Sequence, residues 1–163
     1  MPKIIGIMAA TNEGIVGKGN WLPWDYKNEL EHFRKITNNQ VMVVGRKTFE
    51  SAPPNLFKQK PIVFSKSMPK SEQYTAVESI AEFLTNLSHI NVQEIFMIGG
   101  AEIAELFLKE NLISEFILTK IHKNYEGDVS MNLKLFDNWP QALLTQTKDY
   151  TIYKLINPQR RTL

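Results

Sequence analysis

Ile95-Phe96-Met97-Ile98-Gly99-Gly100-Ala101 reads as a strand that runs straight into a helix through two glycines. A continuous apolar run of strand length, ended by glycine, fits a strand covered on both faces. The glycines let a phosphate or a ligand backbone approach the free amides of the helix start, and the helix continues through Leu108. A tight strand–helix turn without a ligand is the plainer reading of a bare Gly-Gly. The same order recurs upstream. Val41-Met42-Val43-Val44 meets Gly45 and then Arg46-Lys47-Thr48, where a second helix begins. Pro61-Ile62-Val63-Phe64 meets Ser65-Lys66. Residues 4–10 form a fourth apolar run, closed by the polar turn Thr11-Asn12-Glu13-Gly14.

Helical patterns fill the intervals. One helix starts near Asp25, read as its N-cap, and runs to about Lys35. Another follows Ser79-x-x-Glu82, a capping box set before Phe83-Leu84. Buried strands joined by helices predict a parallel α/β sheet. After Phe116 the character changes. Residues 116–122, 143–148 and 151–156 are strand-like with short links, which predicts an antiparallel edge. No repeat, low-complexity tract or long linker interrupts the chain. Residues 1–163 are therefore expected to form a single domain with one mixed sheet and four helices.

A chain of 163 residues suits one domain with a sizeable core. Nineteen Lys and Arg against seventeen Asp and Glu leave a net charge of +2, which is no footprint for nucleic acid. The absence of cysteine excludes disulfides, a thiolate nucleophile and Cys-ligated metal centres. His32, His89 and His122 lack metal-ligand spacing, so no metal is expected. The amino-terminal apolar run is too short to span a membrane and makes a poor signal peptide. A soluble, cytoplasmic, monomeric protein without a membrane partner is the expectation.

Four features are candidates to carry chemistry. Tyr26, Leu30, Phe33 and Thr37 share one helical face, and Glu29 lies at its edge just after Trp21-Leu22-Pro23-Trp24. A carboxylate partly buried there without a cationic partner has a raised pKa, which suits proton transfer near neutral pH. A solvated first-turn glutamate is the plainer alternative. Gly45 and Gly99-Gly100 place two helix starts after two parallel strands, where one pyrophosphate fits between them. Arg46, Lys47 and Lys66 with Ser65 at the same sheet edge suit the extra phosphate that separates NADPH from NADH, although each cation taken singly reads as surface. The loop 12–24, with Gly14, Gly17 and Gly19, has the length and composition of a lid. Tyr125-Glu126-Gly127-Asp128 is a turn signal first and a ligand contact second.

Taken in order, Met8-Ala9-Ala10, Ile15-Val16-Gly17, Leu22-Pro23-Trp24, Glu29-Leu30-x-x-Phe33, residues 44–51, Ile98-Gly99-Gly100, Leu118-Thr119 and Glu126-Gly127-Asp128 resemble dihydrofolate reductases. The resemblance runs from Ile4 to about Asn157. It implies an eight-stranded, mostly parallel sheet, NADPH as cofactor and reduction of the small-molecule dihydropterin 7,8-dihydrofolate. On that likeness Glu29 binds the pterin 2-amino group and N3 and promotes protonation of N5. Thr119 braces the carboxylate, Trp24 holds a water beside it, and Leu22 closes over the nicotinamide. Leu30, Phe33 and Leu56 line the folate slot, together with Met8, Ala9 and Ile98. Arg46, Lys47, Thr48, Ser65 and Lys66 hold cofactor phosphates. Gly99 and Gly100 lie under the pyrophosphate, and Gly45 and Ala101 complete that corner. Ala10, Val16, Gly17 and Ile103 are the remaining cofactor contacts.

The chain departs from the family pattern at four places. The run after Ser51 reads Ala52-Pro53-Pro54-Asn55-Leu56-Phe57-Lys58-Gln59, so Gln59 stands where an arginine usually grips the folate α-carboxylate. With Lys58 and Lys60 it is read along a strand. Ala104 replaces a common aromatic, Glu102 stands where an arginine often helps hold cofactor phosphate, and the first loop looks one residue short. The competing readings are a same-fold reductase of another dihydropterin or of a ribosylamino-pyrimidine, and a non-catalytic dinucleotide-binding module.

Overall fold

A computed structural model describes residues 1–19, 22–53 and 55–159. Trp21 and Pro54 fall outside the described residues. The strands are β1 (Lys3–Thr11), β2 (Ile15–Gly17), β3 (Met42–Gly45), β4 (Ile62–Phe64), β5 (Thr75–Val77), β6 (Glu94–Met97), β7 (Glu115–Ile121), β8 (Val129–Ser130), β9 (Gln141–Gln146) and β10 (Tyr150–Ile156). The helices are α1 (Lys27–Thr37), α2 (Arg46–Ser51), α3 (Ile80–Leu87) and α4 (Ala101–Lys109), with a 3₁₀ turn at Leu133–Phe136.

Eight strands form one sheet in the order β5-β4-β3-β6-β1-β7-β10-β9. Pairing is parallel from β5 to β7 and antiparallel through β10 and β9, so the expected mixed sheet with an antiparallel carboxyl-terminal edge is present. Its apolar runs are buried on both faces. Ile4, Val43, Ile62, Ile95 and Met97 meet Phe83 and Phe107 of α3 and α4 on one side. Ile5, Ile7, Met42, Val44 and Phe96 meet Phe33, Ile36 and Phe49 of α1 and α2 on the other. Phe64, Phe83 and Phe107 stack with centroids 5.0–5.6 Å apart. Two helices per face are what strands this apolar require.

Four local expectations need correction. Asp25 does not cap α1; the N-cap is Tyr26, which makes no side-chain cap bond. Tyr26 is instead fixed by its hydroxyl, 2.7 Å from that of Tyr125, and by packing near Tyr150. In the box before α3, Ser79 Oγ accepts from the Glu82 amide at 3.1 Å, but Glu82 accepts from the Glu78 amide, one residue earlier than the standard box. Lys58 and Gln59 lie in a bend and Lys60 in irregular chain, not in a strand. Finally, one sheet does not hold every strand: β2 and β8 form a separate antiparallel ribbon. That ribbon and β5 are only two or three residues long, too short to show a period.

Among the described residues no helix is long and apolar enough to cross a membrane. Asn157, near the end of the matched stretch, ties β10 back to the chain through Asn111 Oδ1 (2.7 Å) and the Ile113 carbonyl (2.8 Å).

The tightest core approach is at Gly6 in β1. A methyl there would overlap the ring of Phe116, which is fully buried and stacked 4.7 Å from Phe136. Gly6→Ala is expected to lower unfolding free energy by about 1–3 kcal/mol in urea denaturation. Gly6→Ala combined with Phe116→Leu should lose less than the two single losses added, because the smaller side chain relieves the overlap.

Candidate active site

The strand order creates the site. β3 and β6 are neighbours, but β3 leads through α2 to β4 on one side, and β6 leads through α4 to β7 on the other. Neighbouring parallel strands whose connections part in this way leave a crevice at their carboxyl ends. The crevice here is a cleft of about 1030 Å³.

Its corner is built from glycine. The Gly45 amide donates to the Gly99 carbonyl at 2.8 Å, bridging the ends of β3 and β6. Gly99 has φ +109°, a conformation that strains other residues, and its peptide bond to Gly100 is cis. A methyl on Gly45 would press on Ile103 at 3.0 Å, and one on Gly100 would occupy the space 3.0 Å from Thr48 Oγ1. The corner therefore leaves backbone and a hydroxyl facing the cleft at the start of α4. Arg46, Lys47, Ser65 and Lys66 line the same end. The Arg46 guanidinium is engaged, however, with both Glu50 oxygens at 3.2 Å. This backbone cradle with cations beside it fits the phosphates of a dinucleotide.

The other end is apolar around one carboxylate. Met8 and Ala9 of β1, Leu30 and Phe33 of α1, Leu56 and Ile98 line it with Glu29. The expected α1 stripe divides in an informative way. Glu29 and Thr37 are the buried residues of the helix, whereas Leu30 and Phe33 are half-buried because they face the open cleft. Glu29 is only 5% exposed. Burial alone pushes its carboxyl up to about 7, and no salt bridge offsets it among the described residues. Its charge reaches Tyr150, whose hydroxyl is raised first by burial and then by Glu29.

Several residues singled out from the sequence stand back from the cleft. Thr119 is buried in β7, in register with Ala9, and makes no hydrogen bond to Glu29. Trp24 is buried against Tyr125, and its indole Nε1 has no hydrogen-bond partner among the described residues. Ala10 and Gly99 do not line the cleft, and Ala104, on the buried face of α4, is fully enclosed in the core. Gln59 is also outside; its amide donates to Asn39 Oδ1 at 2.9 Å, and Lys58 donates to Asn38 at 2.8 Å.

Part of the loop expected to act as a lid borders the cleft. Val16, Gly17, Gly19 and Leu22 line the cleft. Asp128 Oδ1 accepts from the Gly19 amide at 3.0 Å, and its own amide donates to the Gly17 carbonyl at 3.1 Å. Gly127 meets the Gly17 carbonyl so closely that a side chain there would collide. Glu126-Gly127-Asp128 thus clasps the loop and does not line the cleft. Sequence reasoning missed Glu50, Glu78, Ser79 and Ile80, all of which line the cleft. The capping signal at Ser79 was the one available pointer, since it marks a helix start after a strand end.

A family model described as dihydrofolate reductase matches residues 3–155. A dihydrofolate reductase of Bacillus subtilis is 39% identical over 149 residues, covering 88% of this chain and 84% of its own. A putative dihydrofolate reductase of Caenorhabditis elegans is 37% identical over 147 residues, covering 80% of this chain and 78% of its own. Dihydrofolate reductase type 9 of Escherichia coli is 30% identical over 167 residues, covering 93% and 92%.

Glu29 sets a pH dependence of stability. Its carboxyl titrates near 7 when folded, against 4.5 for an unperturbed glutamate. Between those values the folded chain retains a proton that the unfolded chain has released, so stability falls as pH rises and stays reduced above 7. Glu29→Gln is expected to remove that slope. It should match the parent near pH 4.5 and exceed its unfolding free energy at pH 8 by up to about 3 kcal/mol, read from urea denaturation across pH.

Proposed function

The chain belongs to the dihydrofolate reductase family, and from that premise we propose that it reduces 7,8-dihydrofolate to 5,6,7,8-tetrahydrofolate with NADPH, Glu29 promoting protonation at N5. The observation that carries this reading is the position of Glu29, a buried carboxylate without an ionic partner among the described residues, at the apolar end of a cleft whose other end suits phosphates. When bound, the reduced nicotinamide supplies the hydride that reaches C6.

The residues of the chain orient the substrate and manage the proton. An ionised Glu29 accepts two parallel hydrogen bonds from the 2-amino group and N3 of the pterin, a match only a carboxylate makes well. With its carboxyl near 7, Glu29 also exchanges a proton at neutral pH without a large penalty for either form. Leu30, Phe33, Leu56 and Ile98 hold the flat ring system by apolar contact, and Leu22 with the clasped loop excludes water above it. The Trp24 Nε1–H, without a partner among the described residues, suits a bridging water beside Glu29. Thr119, one strand away from Ala9, is a positioning residue in this reading. Gly100, Ala101 and Thr48 receive the pyrophosphate, and Lys47 and Lys66 supply charge at the outer phosphate end.

Loss of absorbance at 340 nm with NADPH and dihydrofolate tests the activity. Glu29→Gln is expected to fold, to retain cofactor binding and to lose about 100-fold or more in turnover at pH 7, with partial recovery in acid where solvent supplies the proton. Equal rates for parent and variant at pH 7 would remove Glu29 from its role.

A further inference from the structure

The phosphate end of the cleft is not a simply cationic site. Arg46, Lys47 and Lys66 line it, but so do Glu50, Glu78 and Glu102, one acid for every cation. Arg46 is moreover committed to Glu50 through both carboxylate oxygens. Neither Glu78 nor Glu102 has a salt-bridge partner among the described residues.

Glu78 holds the decisive place. β4 and β5 run parallel with Phe64 opposite Val77, and the Ser65 amide donates to the Val77 carbonyl at 2.9 Å. The next residues, Ser65-Lys66 on one strand and Glu78-Ser79 on the other, therefore leave the sheet side by side, and all four line the cleft. Their backbones are fixed. Ser65 Oγ accepts from the amides of Ser67 and Met68 at 3.1 and 3.0 Å, while the Glu78 amide is held by Glu82 at 3.0 Å. Glu78 thus brings an acidic side chain to the strand end beside the residues, Ser65 and Lys66, assigned to the outer cofactor phosphate.

A 2′-phosphate and a ribose 2′-hydroxyl ask opposite things of that spot. The phosphate carries close to two negative charges and is repelled by a neighbouring carboxylate. A free 2′-hydroxyl donates, and an acid at the carboxyl end of a strand receives it well. We propose that Glu78 is a cofactor-specificity residue and that this protein accepts NADH as a second reductant, preferring NADPH by less than about tenfold. This rests on the reading of the cleft as a dinucleotide site.

Calorimetric titration with NADPH and with NADH, in the absence of substrate, separates the two claims. The parent is expected to bind both, with a ratio of dissociation constants below about ten. Glu78→Gln, an exposed substitution, should raise the preference for NADPH by about threefold or more, tightening NADPH and weakening NADH. Lys66→Ala should move the ratio the other way. A parent preference of 100-fold or more, or a ratio unchanged by Glu78→Gln while NADPH still binds, overturns the assignment of Glu78. Binding of neither dinucleotide by the parent overturns the dinucleotide reading itself, and this assignment with it.

Discussion

The hydrogen bond from the Gly45 amide to the Gly99 carbonyl closes the seam where two strand connections part, and the cleft depends on it. Three glycines make that seam possible. Gly99 takes a positive φ, and methyl groups on Gly45 and Gly100 would press on Ile103 and Thr48 at 3.0 Å. Side chains here would fill the space a phosphate needs and push apart the ends of β3 and β6. Gly100 and the Thr48 hydroxyl line the cleft together at this close approach.

At the other end the governing quantity is solvation. Glu29 sits 5% exposed among Leu30, Phe33, Met8 and Ile98, and dehydration alone raises its carboxyl to about 7. An ion pair in the same place would have held the carboxylate charged and made it a poor proton source. The fold accepts an unfavourable burial at one residue and gains a group balanced between two protonation states at physiological pH. The loop beside it is held by Asp128 and Gly127, next to a short ribbon whose two strands are remote in sequence.

Much of this was legible in the chain. Apolar runs closed by glycine, by serine or, for residues 4–10, by the polar turn at Thr11 announced four of the parallel strands, because a strand covered on both faces has no room for polar alternation. Glu29 was legible as the one acid beside an apolar helical stripe. The cap of α1 was not, since Asp25 satisfies every local rule and loses to Tyr26, whose ring is anchored by Tyr125 and Tyr150 more than 95 residues away. Gln59 is similar: it reads as part of a strand beside the site, yet its amide is taken by Asn39 and it turns away from the cleft.

The sequence by itself determined the α/β class, the glycine corners and the residue types able to do the chemistry, because periodicity, turn chemistry and charge are local properties. Tertiary structure alone decided which of those residues meet. Thr119 is buried in register with the cleft-lining Ala9, whereas Ala104 packs into the core away from the cleft. Glu78 has no local signal beyond the capping residue that follows it, yet it lines the cleft because β5, a three-residue strand, pairs in parallel with β4 and ends beside Ser65. Strand register is set by the burial of whole faces across the sheet, and no window of neighbouring residues contains that information.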